Sequence, residues 1–430
     1  MLIVRLSLPL FLFFLISDLH ADLGDDVKKA SDAVKTGIAA TDAITKIVTG
    51  VKVLAKFTTI MSKIAPFLAA IGPLMDIITL FLPKQEDKTL SLLKKEFSRV
   101  DSNFRNVERL FGKVTNLIKA KSINAQFSEI EQNVNALSDR LHMLMKAPKD
   151  AVGGQKDRFI TSFRTSYLNA ARKIYNGIMT KQSFTDNIPI TAMEYTNNDR
   201  KKMQKVMAGC VGLLLTAVKV NLAYLKLTNR TASYKMEQKE WETNIKNVLQ
   251  KVKEVDEQVT SNYESQKFKD MKDLSAQYKD DNHEQFAKRL YKFYSEKYYW
   301  RDWVVIVYDK MEESWTGQNG HTFKLCGGDK YLEKENRNII TSSVPKENSK
   351  IDINFYKGKL DSLTTETTFL YNLIHIAWPA RWVLHQMARF SRADVCMRAV
   401  VSDRKKPYVA SAPGRLTSKW KYFYNMYIFG

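Results

Sequence analysis

The chain has 430 residues, 44 % of them hydrophobic, and a formal charge of +21 from 67 Lys and Arg against 46 Asp and Glu. That length supports two or three domains with a sizeable core, which excludes a short peptide or a metal-stapled mini-domain. The charge favours acidic partners such as anionic lipid or sulfated and sialylated glycans.

The chain opens with an export signal. Met1–Arg5 carries one positive charge, Leu6–Ile16 is apolar, and cleavage is expected near Ala21, so residues 1–21 are set aside from the fold. Export makes nucleic acid an unsuitable partner for the basic surface. Residues 44–82 then grade from amphipathic to almost uncharged. On a helix Lys52, Lys56 and Lys63 fall within a narrow arc, with Val53, Leu54, Phe57, Ile60, Met61 and Ile64 opposite. Lysines beside an apolar face suit a membrane surface, and equally an ordinary bundle edge.

From Ile64 to Leu82 only Asp76 is charged, over a helical length of about 28 Å. Ile64, Phe67, Leu68, Ile71, Leu74, Ile77, Ile78, Leu80 and Phe81 are the expected membrane-inserting residues. Pro66, Pro73 and Asp76 disfavour a permanent anchor. They suit a segment that inserts conditionally, in an oligomer where Asp76 can face water. The alternative is a buried central helix that never leaves the protein.

Heptad spacing follows. Leu90, Leu93, Phe97, Val100, Phe104, Val107, Phe111, Val114 and Ile118 alternate steps of three and four. So do Ile123, Phe127, Ile130, Val134, Leu137, Leu141 and Leu144, and then Trp241, Ile245, Val248, Val252, Val255 and Val259. Such runs predict long amphipathic helices packed at shallow angles. Phe159–Thr180 and Lys201–Leu227 also read as helices, the second more apolar and holding Cys210 as a buried thiol. Gln285–Glu313 is read as continuing helically.

Beyond residue 315 the pattern changes. His321–Leu325, Asn338–Val344, Cys396–Ser402 and Trp420–Phe429 read as strands, and Leu360–Phe390 as a helix broken at Trp378–Pro379. The expected fold is therefore mainly α: a bundle of long antiparallel helices over residues 22–315, then a smaller mixed α/β domain over 316–430 suited to target binding. Its aromatics Trp420, Tyr422, Phe423, Tyr424 and Tyr427 are read either as membrane contacts or as core. Export leaves both a Cys326–Cys396 disulfide and two free thiols open. Asn229-Arg-Thr231 is a glycosylation sequon in an expected turn.

Enzyme chemistry is not expected. The six histidines form no His-Glu-x-x-His pair, and no metal-ligand set, phosphate-binding glycine loop or nucleophile elbow is read. No cofactor is expected.

Lys63-Ile-Ala-Pro-Phe-Leu-Ala-Ala-Ile-Gly-Pro73, the Leu90–Phe111 heptad and the basic, aromatic C-terminal part together resemble the box-jellyfish toxin family, the cnidarian nematocyst cytolysins. The resemblance implies a helical portion similar to the pore-forming domain of insecticidal crystal toxins. It also implies a secreted haemolytic pore former, stored in a nematocyst, that assembles as a homo-oligomer in the target-cell membrane. The rival reading is a non-lytic secreted helical protein that binds acidic glycans.

Overall fold

The computed structural model describes residues 121–179, 187–310, 321–326, 329–374, 380–421 and 424–430. Contacts divide the chain into two units, residues 1–197 with 201–258, and residues 198–200 with 259–430.

The described part of the first unit is helical: α1 (Lys121–Lys146), α2 (Val152–Ser166), α3 (Ala170–Met179), α4 (Ile188–Tyr195), α5 (Arg200–Leu227) and α6 (Thr231–Ser261). The heptad residues form the core seams. Val134, Leu137, Leu141 and Leu144 of α1 and Trp241, Val248, Val252 and Val255 of α6 are all buried. The segment read as one helix over Phe159–Thr180 is two, because Leu168 and Asn169 take left-handed backbone conformations between α2 and α3. Asn187 caps α4 by accepting from the Ile190 amide at 3.2 Å, with Pro189 in the first turn. Gly177 lets α3 approach its neighbours closely: a Cβ there would sit 2.6 Å from Phe127 of α1 and 3.1 Å from Ile188 of α4.

The second unit is a four-layer sandwich, helices–sheet–sheet–helices. Its first layer is α7 (Tyr263–Gln277) and α8 (His283–Lys297). A reciprocal cap starts α8, with Asn282 accepting from the Gln285 amide and Gln285 accepting from the Asn282 amide. One antiparallel sheet contains β1 (Arg301–Asp309), β3 (Lys330–Lys334), β4 (Arg337–Pro345) and β6 (Tyr408–Ser411), in the order β3-β4-β1-β6. The other contains β2 (His321–Lys324), β5 (Met397–Ser402), β7 (Leu416–Lys421) and β8 (Tyr424–Phe429), in the order β2-β5-β8-β7. Helices α9 (Ile353–Ile374) and α10 (Ala380–Phe390) form the last layer.

Period-two alternation assigns the faces. Trp303, Val305 and Val307 of β1 pack on α7 and α8. Val304, Ile306 and Tyr308 meet Met397, Ala399, Val401, Tyr427 and Phe429 between the sheets. Val400, Met426 and Ile428 pack on α9 and α10. The β3–β4 hairpin turns on Glu335 and Asn336, both at positive φ, as its two-residue loop requires.

The expectation of helix through Gln285–Glu313 is corrected here. Helix α8 ends at Lys297, and Arg301–Asp309 is the central strand β1.

Candidate functional site

Helix α5 is the most unusual element of the first unit. Residues 206–220 are all buried, four full turns with no solvent-facing side. Among the described residues α5 is the one helix long and apolar enough to cross a membrane, and 94 % of its apolar window is buried. Between Val206 and Leu225 only Lys219 is charged, over a length of about 30 Å. The helix ends in a Schellman turn. The Arg230 amide donates to Leu225 O at 2.9 Å and the Asn229 amide to Lys226 O at 3.0 Å, with Asn229 in the left-handed conformation.

Amphipathic helices sheathe α5. From α2, Phe163 stacks on Tyr224 with centroids 4.0 Å apart. From α6, Asp256 accepts from Gln204 at 3.0 Å and Glu237 from Asn221 at 3.4 Å, which sets α5 and α6 antiparallel. From α1, Ser138 accepts from the buried Lys219 ammonium at 2.8 Å. Glu131, two turns earlier on α1, acts electrostatically on Cys210. Pairing 131 with 210 and 138 with 219 makes α1 and α5 run in the same sense. Burial, followed by Glu131, pushes the Cys210 thiol up to about 12. Cys210 is a free, protonated core side chain.

A second polar concentration lies in the sandwich. The Lys267 ammonium of α7 and the Asp329 carboxylate before β3 pair at 2.9 Å, with side chains 0 % and 1 % exposed. Asp329 also accepts from Ser342 Oγ and from the Ser343 amide at 3.2 Å, and its Oδ2 lies 3.6 Å from the disulfide sulfur of Cys396. Lys267 lies 5.4 Å from the Trp303 ring centroid. Burial draws its basicity down, and Asp329 opposes the shift. Nearby, Asp270 accepts from Lys297 and Tyr298, each at 2.6 Å, and from Gln266 at 2.8 Å.

The residues singled out from sequence fall in different places. Ile64, Phe67, Leu68, Ile71, Leu74, Ile77, Ile78, Leu80 and Phe81, with Lys52, Lys56 and Lys63, lie outside the described residues. So do the export signal, the Leu90–Ile118 heptad, Trp378, Pro379, Tyr422 and Phe423. Cys326 and Cys396 are joined as a disulfide with Cα atoms 5.1 Å apart. Asn229 is exposed at the α5–α6 turn. Of the candidate membrane-contact aromatics, Trp420 is 55 % exposed on the edge strand β7, Tyr424 packs partly against α9 and α10, and Tyr427 is core between the sheets. Tyr427 is thereby excluded as a surface contact. Sequence reading noted that α5 is apolar but not that it is enclosed on every side, and it passed over Asp329. The Cys326-Gly-Gly-Asp329 spacing was the available signal for the latter.

The family comparison bears on the helical half. The matching model is described as the cephalotoxin-like middle helical domain and spans residues 83–281. The matched stretch contains α1–α7, sheathed α5 included, and the Leu90–Phe111 heptad; Lys63–Pro73 and the C-terminal part, which also carried the toxin resemblance, lie outside it. Protein rapunzel of Danio rerio is 24 % identical over 181 residues, covering 42 % of this chain and 79 % of that protein. No solved structure matches.

Proposed function

We propose that the chain is a secreted, toxin-like pore former that permeabilises target-cell membranes without enzymatic chemistry, and that α5 enters the bilayer beside residues 64–82. The observation that carries this reading is α5 itself, apolar over a bilayer's thickness and buried on every side, with the amphipathic helices α1, α2 and α6 against it. Such a helix keeps its apolar burial when it exchanges a protein core for acyl chains, so the transfer forfeits little hydrophobic stabilisation. The same helix left in water would expose most of its surface.

The toxin-like middle domain supports the reading, and its family context favours secretion. The charge of +21 supplies the first attraction to anionic headgroups. Lys219 at mid-bilayer would cost about 2.5–3.5 kcal/mol on the insertion scale unless it faces water. A lumen shared by several protomers removes that cost for Lys219, and for Asp76 in the other segment. Nematocyst storage, haemolysis and a helical portion similar to the crystal-toxin pore domain belong to the same reading.

Dye release from lipid vesicles by the mature protein, with red-cell lysis alongside, tests it. Release that falls off with dye size is the expected result, and a folded Ile71→Lys variant should release less. No release from any vesicle composition, with salt-sensitive retention on heparin, would replace the pore former with the glycan-binding alternative.

A further inference from the structure

The disulfide corner of the second unit has the donors of a metal site. Cys326 lies two residues past the end of β2, and Cys396 directly precedes β5 in the same sheet. Asp329 precedes β3, and Ser342 lies on β4, both in the facing sheet. Cys326, Cys396 and Asp329 each offer a ligand atom, and all three atoms lie within 4.8 Å of one another. Cys326 and Asp329 are spaced C-x-x-D, the two-residue separation that zinc sites use between paired ligands.

We propose that, once the Cys326–Cys396 bond is reduced, Cys326, Cys396 and Asp329 bind one zinc ion, which ties the ends of β2 and β5 as the disulfide did and adds a link to the facing sheet through Asp329.

Geometry, charge and support agree with this assignment. Zinc–sulfur and zinc–oxygen bonds of about 2.3 and 2.1 Å in a tetrahedron separate sulfur from oxygen by about 3.6 Å. Cys396 Sγ and Asp329 Oδ2 are 3.6 Å apart. Lys267 binds Oδ1 at 2.9 Å and so leaves Oδ2 turned toward the sulfur. Ser342 Oγ bonds Asp329 and lies 3.3 Å from Cys396 Sγ, an outer-shell partner that orients the ligand. Two thiolates neutralise the divalent ion, and Lys267 neutralises the third ligand, so the buried cluster carries no net charge. The fourth position is left for water.

The reduction balances with a phosphine. Its phosphorus attacks one sulfur and releases the other as a thiolate. Water then converts the thiophosphonium to phosphine oxide, and two thiols result. Zinc binding expels the two thiol protons.

The test uses full-length protein reduced by a phosphine, freed of reductant and titrated with cobalt(II), then with zinc(II). The expected result is one equivalent of cobalt with thiolate-to-metal charge-transfer absorption and tetrahedral visible bands, displaced by zinc. Oxidised protein should bind none. Cys210→Ser should keep the full signal, Cys396→Ser should abolish it, and Asp329→Asn should weaken binding by roughly tenfold or more. Absence of the charge-transfer band in reduced wild-type protein overturns the proposal, as does a band that survives Cys396→Ser. Because Asp329→Asn leaves Lys267 without its carboxylate, the cysteine variants, which keep that ion pair, decide the matter if Asp329→Asn fails to fold.

Discussion

Replacing Asp329 with Asn should be among the most damaging single changes in the second unit, although it alters almost no volume. Lys267 and Asp329 are 0 % and 1 % exposed and 2.9 Å apart. Removing one partner of such a pair leaves an uncompensated buried charge, at a cost of about 3–5 kcal/mol. For a unit of this size each kcal/mol shifts the melting temperature by about 2–4 °C, so Asp329→Asn in the oxidised protein should melt roughly 6–20 °C lower. Adding Lys267→Met removes the orphaned charge, so the double variant should be clearly more stable than the sum of the single costs implies.

The pH dependence has a definite sign. Burial lowers the Lys267 pKa and Asp329 opposes the shift, so without that carboxylate the folded variant gives up the lysine proton at a lower pH than the unfolded chain, which keeps it up to about pH 10.4. The unfolded state then binds more protons, and the stability of Asp329→Asn should rise with pH toward that value. Urea unfolding monitored by tryptophan fluorescence, at neutral pH and near pH 10, measures both effects. A cost below about 1 kcal/mol, or strictly additive single changes, would refute the reasoning. The surface pair Lys288–Glu284, 61 % and 53 % exposed, is the control, and its loss should leave stability unchanged.

Trp241→Ala should destabilise the first unit by about 3–5 kcal/mol in urea unfolding. That ring is 2 % exposed, donates to Glu237 at 2.9 Å and meets Tyr175 edge-on. His321, enclosed by Tyr308, Phe323 and Tyr331, has its pKa lowered by burial. Unfolding therefore takes up a proton as pH falls below the ordinary value near 6.5. The His321 contribution is complete above that pH and is lost below it, so His321→Phe should flatten the fall in melting temperature between pH 7 and 5. Asn229→Gln should remove one N-linked glycan, read as a mass difference, when the protein is secreted from eukaryotic cells.

The helices with one wet face were the legible part of the sequence. In α1 and α6 the buried residues recur every three or four positions because the opposite face meets water, and that period is visible without coordinates. Elements buried on every side lose the signal. In α5 all of residues 206–220 are enclosed, so composition reveals an apolar helix but not its place at the centre of the sheath. Strand β1 failed for the same reason. Trp303, Val305 and Val307 face helices while Val304, Ile306 and Tyr308 face the second sheet, so the strand is a continuous apolar run instead of an alternation. The β-branched Val304-Val-Ile-Val307 was the cue against helix. Lys267 is 62 positions from Asp329, and no local pattern links an α7 lysine to the carboxylate just before β3.

The most direct test of α5 entering the membrane is lipid-phase labelling during dye release. A photoactivated carbene reagent dissolved in anionic vesicles marks side chains in contact with acyl chains, whatever their ionisation, and peptide mass mapping locates the marks. The account predicts label on residues 206–225 in vesicles that leak, with little on the same peptide when the protein is in buffer or mixed with vesicles it does not permeabilise. Vesicles that leak while residues 206–225 stay unlabelled would contradict it, and would return α5 to the permanent core of a bundle that acts through other segments.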